Sequence, residues 1–557
     1  MQNIESRMGI PQCGDESSGR EAGAAIHTGD VPTMKSFLLA IFGASLLVCL
    51  PSGVLAQLDQ GQIGGVVTDG SHAVVQNATV QVISAAKGTI QSTHTDSNGL
   101  YSVTNLPVDV YNVVIESAGF RLYKQTGITV DAGARVTANA VLEPGAAEQT
   151  IIVRSTGAEV ETDTAMVGRT IDTSQMKDLA LNGRNPINMA LTKAGVTGGS
   201  FNQFNPDDLG ANGFTINGSS STENAVTLDG VNAVRTRSGT ATIGVFNVDA
   251  IQEVQILAAN YPAEYGRVDG GQIRFVSKSG TSDFHGTVFE FFRNSALDAN
   301  SWVRNDSPDP TQNSKPDGLR FNQPGFSLGG PVYWPGRWNE RKDKLFFFAA
   351  EEWVRFRQDQ TNTGTVPTAL MRQGNFSELL DPNNPFTNSV QVVMNPATGQ
   401  PFGNNTIGDP ALLSKNGLAL LSAFPLPTPG FQDGAANWIE SLPAPRNSRK
   451  DFYRVDYYAG RNRYTLTGQH YAYESISPFT SDLDRFGTDQ LRPNDTGAFN
   501  ITSTFSPKWL NDLTVSASND LVNTKTLQSR PYERNLYGID YPYIFPGIKD
   551  VEDKIPT

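Results

Sequence analysis

Cysteine is almost missing from this sequence. Cys13 and Cys49 are the only two, and both lie ahead of the cleavage site argued below. The mature chain then has no disulfide to staple a small core and no thiolate for catalysis or metal binding. Histidine is nearly as scarce. His27, His72, His94, His285 and His470 stand far apart, which removes the paired-histidine spacing of a zinc hydrolase. No Gly-Lys-Ser/Thr phosphate loop occurs. Charged residues make up only 18%, 43 basic against 56 acidic for a net charge of −13, and they are spread along the chain. Nucleic acid is therefore excluded as an electrostatic partner. After Gln57 no apolar run reaches the roughly 20 residues of a membrane-spanning helix. Residence in a membrane would have to be as a closed β-barrel.

Turn formers are abundant, with 53 Gly and 32 Pro among 557 residues, a β-leaning composition. Lys35 precedes an apolar run from Phe37 to Leu50, and Val54 and Ala56 supply the small residues that a signal peptidase needs. The run is too short and interrupted to span a membrane. Residues 34–56 thus read as a signal peptide cleaved between Ala56 and Gln57, rather than as a buried core helix. Residues 1–33 fit no such pattern: either Met34 is the true start, or they form an extended leader.

Residues 57–144 alternate as a small β-sandwich of the immunoglobulin or prealbumin kind. Ala78, Val80 and Val82 flank polar Thr79 and Gln81, and Tyr111, Val113 and Ile115 repeat the period of two. The even spacing predicts seven strands. Thr95-Asp96-Ser97-Asn98-Gly99 predicts a hairpin turn in which Asn98 and Gly99 take positive φ. A partial resemblance of Asp96, Asn98 and Gly99 to a calcium loop lacks the remaining ligands. The run Thr95 to Tyr101, then Leu106-Pro107, Tyr111 and Gly119-Phe120, resembles the carboxypeptidase regulatory-like domain, which is not catalytic despite its name.

Residues 157–280 mix helix and strand. Short helices are predicted over Ser174–Leu181 and Ile187–Thr192, and strands over Ala225–Leu228 and Glu253–Leu257. Five segments in order resemble the plug of Oar-like TonB-dependent receptors. These are Leu179 to Asn185, Asn224 to Val231, Ala250 to Ile256, Tyr261 to Arg267 with Gly270 to Ile273, and Ser277 to Gly286. Ala180 stands where that family usually has proline. The resemblance implies an α+β plug domain followed by a barrel. It also gives residues 145–156 a meaning beyond a linker or an eighth strand. Glu148, Gln149, Thr150, Ile151, Ile152 and Val153 become a candidate TonB box, a segment that pairs by β-augmentation with the periplasmic energy-coupling protein. Within the plug, the loop 210–222 with Asn217, and Asn224 and Asp229 beyond it, are expected near a substrate.

From residue 281 onward the chain reads as antiparallel strands. Arg454 and Asp456 face one way while Tyr453, Val455 and Tyr457 face the other, and the segments around 463–471, 499–505 and 513–518 alternate likewise. Polar toward a lumen, apolar toward lipid, with aromatics such as Trp509 at strand ends, is the pattern of a transmembrane barrel. About eight strands are expected, with long polar loops such as 358–450. Plug-bearing barrels need more strands than that, and a partial barrel leaves unpaired edges in lipid. Residues 281–557 are therefore expected to be the first part of an incomplete barrel, and the sequence a piece, a split product or a truncated form.

Chemistry finds little footing. Gly325-Phe326-Ser327-Leu328-Gly329 has the spacing of a nucleophile elbow, but Gly330-Pro331 opposes the helix that must follow. A glycine-rich barrel strand is the better account. Glu351 and Glu352 should point to opposite faces of a strand, which makes them a poor acid/base pair. No enzyme activity and no cofactor are expected. The resemblance implies a receptor in the outer membrane of a Gram-negative bacterium, bounded by lipid, that takes up a large extracellular solute with a TonB-type partner and proton-motive force. The rival is an outer-membrane adhesion or structural protein that transports nothing. A carbohydrate-active enzyme lacks a paired-carboxylate site.

Overall fold

The computed structural model describes residues 60–540, except 146–149, 155–165, 180, 199–213, 236–241, 262–264, 267, 306–312, 315, 317, 480–485, 507–508 and 529–533. The signal segment, its cleavage site at Ala56 and Gln57, and Glu148 and Gln149 lie outside the described residues.

The first region is a two-sheet sandwich. Its strands are β1 (Gly61–Asp69), β2 (Thr79–Ser84), β3 (Ile90–His94), β4 (Leu100–Leu106), β5 (Asp109–Glu116), β6 (Leu122–Val130), β7 (Arg135–Thr137), β8 (Ala140–Leu142) and β9 (Thr150–Arg154). One sheet runs β4-β1-β7, with β8 also on β1, and the other runs β3-β2-β5-β6-β9. The alternation expected of β2 and β5 puts Val80 opposite Ile115 and Val82 opposite Val113, all four buried in the core with Ile63 and Val67. Each such side chain contributes about 1.5–3 kcal/mol by leaving water. Tyr101 is buried too, and its hydroxyl donates to the Ala138 carbonyl at 2.6 Å. Burial pushes that hydroxyl's pKa upward.

Three expectations change here. The span to residue 144 holds eight strands rather than seven, because the last one is interrupted: β7 and β8 are short pieces that both run parallel to β1. The Asp96 turn is not a hairpin, since β3 pairs with β2 and β4 with β1. It carries the chain from one sheet to the other. Asp96 Oδ1 accepts from the Asn98 and Leu100 amides, and of the two expected positive φ values only Gly99 adopts one, at 69°. Finally, β9 is a full member of the second sheet, parallel to β6 from Leu122↔Thr150 to Thr126↔Arg154.

The plug follows. It contains β10 (Val167–Asp172), α1 (Thr173–Asp178), β11 (Val196–Gly198), β12 (Phe214–Ile216), β13 (Ala225–Leu228), β14 (Val231–Asn232), β15 (Ile251–Ala259) and β16 (Gln272–Ser277). The main sheet is ordered β10-β15-β16-β13-β14. The expected second helical piece is present as a 3-10 helix, Pro186–Thr192, after a 3-10 turn at Asn182–Arg184. Asp172 caps α1 by accepting from the Gln175 amide at 2.8 Å, the usual role of an N-cap carboxylate. β16 is buried at every position. Its odd-numbered Ile273 and Phe275 join Val254 and Ile256 in the apolar core. With a period of two, Gln272 and Arg274 share the other face with Glu253 and Gln255, all buried.

The barrel portion consists of β17 (His285–Asn294), β18 (Leu319–Pro331), β19 (Leu345–Gly364), β20 (Trp438–Pro443), β21 (Arg446–Ala459), β22 (Asn462–Ser477), β23 (Phe486–Ser506), β24 (Trp509–Asp520) and β25 (Asn523–Gln528). These nine strands occupy seven positions in one antiparallel sheet. β20 and β21 both pair β19, broken at Ala444-Pro445, and β24 and β25 both pair β23. Proline has no N–H to give the ladder, so a break there is its expected effect. The long loop is shorter than expected, because residues 358–364 and 438–443 are paired strand. On β19, Phe346, Phe348, Ala350, Glu352 and Val354 alternate inward, while Tyr453, Val455 and Tyr457 of β21 point outward and stay exposed.

Candidate functional site

Buried charge gathers where the plug meets the wall. Gly183, with φ of 79°, and Arg184, with φ of 55°, make the tight turn that follows α1. That turn aims the Arg184 guanidinium outward from the plug. It donates to Asp249 at 2.5 Å and lies 3.5 Å from the Glu352 carboxylate of β19. Its flat face rests 4.5 and 4.7 Å from the rings of Phe289 and Phe291 on β17. Glu352 is fully buried. Its Oε1 accepts from Lys450 Nζ and from Gln323 Nε2, both at 2.8 Å. Lys450 is only 1% exposed. One plug cation and one wall cation thus share a wall carboxylate. Glu351, the next residue, faces outward and accepts from the Tyr453 hydroxyl, so the two carboxylates take opposite faces as expected.

A second junction lies at the end of β13. Arg454 of β21 holds Asp456 through two bonds of 2.8 and 3.0 Å. It also donates to Ser277 Oγ at 2.8 Å and stands 3.7 Å from Asp229. Asp229 accepts in turn from the Ser277 amide and hydroxyl. The wall thereby pins the last residue of β16 and the β13–β14 turn together.

The sandwich closes the arrangement. Gln60 reaches Thr502 and Asp512 of the barrel at 3.2 Å, and Asn105 reaches Thr504 at 3.3 Å. Ser282, on the segment between plug and barrel, donates its amide to the Ala86 carbonyl at 2.9 Å. A cavity of about 470 Å³ separates β3 and β4 from the barrel turns near Lys344 and Arg461. A smaller one, about 180 Å³, lies where sandwich, plug and wall meet, lined by Gln60, Lys87, Asp229, Arg454 and Asp512 among others.

The residues expected near a substrate are not brought together. Asn217 donates to the Ala258 carbonyl and Asn224 to the Phe214 carbonyl, while Asn224 Oδ1 accepts from the Gly271 amide. Both side chains brace plug backbone. Asp229 lies at the other end of β13 from Asn224 and faces the sandwich side. Residues 210–213 of the loop 210–222 fall outside the described residues. Of the candidate coupling segment, Thr150 to Val153 form β9, with Ile152 62% exposed. Ser327 sits within β18, its hydroxyl 2.8 Å from that of Thr287 on β17, and no helix follows. Among the described residues no three His, Cys, Asp or Glu side chains come together as a metal site would need. The sequence reading set Glu352 and Arg454 on strands but gave them no part in a site, and it did not single out Lys450. The visible mark of Glu352 was a charge on the inward phase of an otherwise apolar stretch, Phe346 to Val354.

Residues 276–554, half of the chain, match the outer membrane beta barrel domain. Residues 62–143 match the carboxypeptidase regulatory-like domain, and residues 161–271 the TonB-dependent receptor plug domain. The TonB-dependent transporter Oar of Myxococcus xanthus is 26% identical over 309 residues, which cover 54% of this chain and 27% of that protein. The chain thus spans about a quarter of that curated relative's length. Among solved structures, the outer membrane transporter YddB of Escherichia coli aligns with a TM-score of 0.38 and 13% identity, over 63% of this chain and 39% of that one. The ferric enterobactin receptor PfeA of Pseudomonas aeruginosa aligns with a TM-score of 0.29 and 9% identity, over 63% and 44%. At such scores neither likeness adds to the case.

Proposed function

Because the chain belongs to the TonB-dependent outer-membrane receptor family, in its Oar-like form with a carboxypeptidase regulatory-like sandwich, we propose that it admits a large extracellular solute through a gated barrel. The observation that carries this reading is the plug's seat: Arg184 of the plug meets the wall carboxylate Glu352, which is fully buried and also holds Lys450. The polar contacts of that seat can be broken and remade, because each group can exchange its partner for water. Solute binds from outside. A TonB-type protein in the periplasm pairs with the segment Glu148 to Val153 and draws on the inner-membrane proton-motive force. Backbone pairing of this kind tolerates varied side chains, and the exposure of Ile152 leaves that side chain open to a partner.

Two measurements test the proposal. Ile152→Cys introduces a single thiol into a mature region that has none of its own. In cells whose coupling protein carries a matching cysteine, a disulfide-linked adduct is expected, and its absence would count against the coupling step. Separately, the medium of cells bearing the intact chain is compared by mass spectrometry with that of Ile151→Pro cells. At least one solute should be depleted only by the intact chain, and only without a protonophore. Equal depletion throughout, with surface adhesion intact, would favour the adhesion protein instead.

A further inference from the structure

The main chain of one sandwich residue, Ala132, is bonded to the plug. β6 leads directly into the turn Asp131–Ala134, and that turn reaches the polar face of the plug sheet. The Ala132 amide donates to Glu253 Oε1 at 2.9 Å, and the Ala132 carbonyl accepts from Gln255 Nε2 at 2.7 Å. Gln255 Oε1 accepts in turn from Arg274 at 2.8 Å, whose guanidinium lies 4.6 Å from the Tyr265 ring centre. Ala132, Glu253, Gln255 and Arg274 are all buried. Two plug side chains therefore engage both main-chain polar groups of one sandwich residue, as a neighbouring β-strand would.

The same β6 holds β9 at its other end. Residues 122–126 of β6 pair with Thr150–Arg154, and the strand runs on to Val130 before the Ala132 turn. A load on β9 enters β6 through main-chain hydrogen bonds and travels along it to the turn. We propose that the Ala132 peptide is a latch: while docked it holds the polar face of the plug, and a pull on β9 lifts the sandwich off and frees that face. This rests on the proposal that the coupling protein acts at Glu148 to Val153. The latch is reversible for a physical reason. Glu253, Gln255 and Arg274 are strongly solvated groups, so each lost contact is replaced by water, whereas an apolar seam would expose surface that water opposes.

Ala132→Cys tests the latch in the full chain in living cells. The change is small, and no other thiol is present in the mature region. A maleimide small enough to cross the outer membrane reports when the turn leaves the plug. Labelling is expected to be severalfold faster in energised cells than in cells treated with a protonophore, and Ile151→Pro should abolish the difference. Glu253→Ala should speed labelling in de-energised cells, since the Ala132 amide loses a charge-assisted partner. Outer-membrane fractionation and heat-modifiable mobility check that each variant has assembled. Equal rates with and without energy, fast or slow, overturn the latch, as does no effect of Glu253→Ala. If Ile152→Cys captures the coupling protein while Ala132→Cys stays protected, the latch fails and the coupling proposal stands. If Ile152→Cys captures nothing, the coupling proposal itself has failed.

Discussion

Replacing Glu352 by Gln keeps the shape of the side chain and removes its charge. The group is 0% exposed and Lys450 is 1% exposed, so water cannot take over the lost interaction without opening the wall. Lys450 Nζ, 2.8 Å from the carboxylate, loses the negative charge of that partner. Arg184 loses its wall partner at 3.5 Å but keeps Asp249 and the two rings. Breaking one partner of a buried pair costs about 3–5 kcal/mol. That is roughly two to four decades in the balance between seated and loosened plug. Hydrogen exchange at residues 182–192, followed in outer-membrane-embedded protein, reads that balance. The pairing with Lys450→Met decides the cause. If the penalty lies with that buried cation, Glu352→Gln with Lys450→Met should recover most of the loss, because the cation is then removed as well. A single variant within about 0.5 kcal/mol of the parent, or a double variant looser than the single, would refute the reasoning.

Arg454→Met should loosen the β13–β14 turn, since Asp456 and Asp229 lose their shared cation. Exchange at residues 228–232 should rise while residues 182–192 stay as in the parent, and equal loosening of both would show that the two junctions are not independent. Asp172→Ala should cost about 1 kcal/mol of local stability in α1 by removing its N-cap, measured as exchange at Gln175. The Gln175 amide bonded to Asp172 is the main cause that holds this carboxyl below its ordinary range. A depressed folded value gives stability that is full above the unfolded pKa and lost as pH falls through the folded one. Protection at Gln175 should therefore weaken below about pH 4, and an acid-independent signal would contradict it.

Strand phase was legible wherever one face meets lipid or a core. The alternation at 453–457 placed Tyr453, Val455 and Tyr457 outside and Asp456 inside, as observed. It stopped being legible where pairing needs only main-chain bonds. Gln358 to Gly364 continue β19 through polar side chains with no apolar rhythm, so they read as loop. Turn chemistry was legible at Asp96 and Asp229, but a turn does not say which sheet its second strand joins or which end of a sheet faces the sandwich. That is why Asp96 was assigned to a hairpin. The wall cluster was hidden by distance in sequence, because Lys450 and Glu352 are 98 residues apart. No local pattern connects them.

The placement of polar and apolar contacts separates what must hold from what must move. Inside the plug, Val254, Ile256, Ile273 and Phe275 form a dry core, and inside the sandwich Val80, Val82, Val113 and Ile115 do the same. At the seams charges and amides stand beside apolar packing: Arg184 with Glu352, Arg454 with Asp229, and Glu253 and Gln255 with Ala132, while Phe348, Ala350 and Phe452 of the wall pack on the plug's own apolar cluster. Well-packed apolar residues in the place of a buried ion pair often bind as tightly or more so, so stability alone does not call for this choice. A polar seam differs in how it opens. Its groups are solvated as they separate, and its geometry restores one register when they return. Where plug meets wall these polar groups set the register, and the apolar packing of Phe348, Ala350 and Phe452 against the plug adds to the hold of the seat.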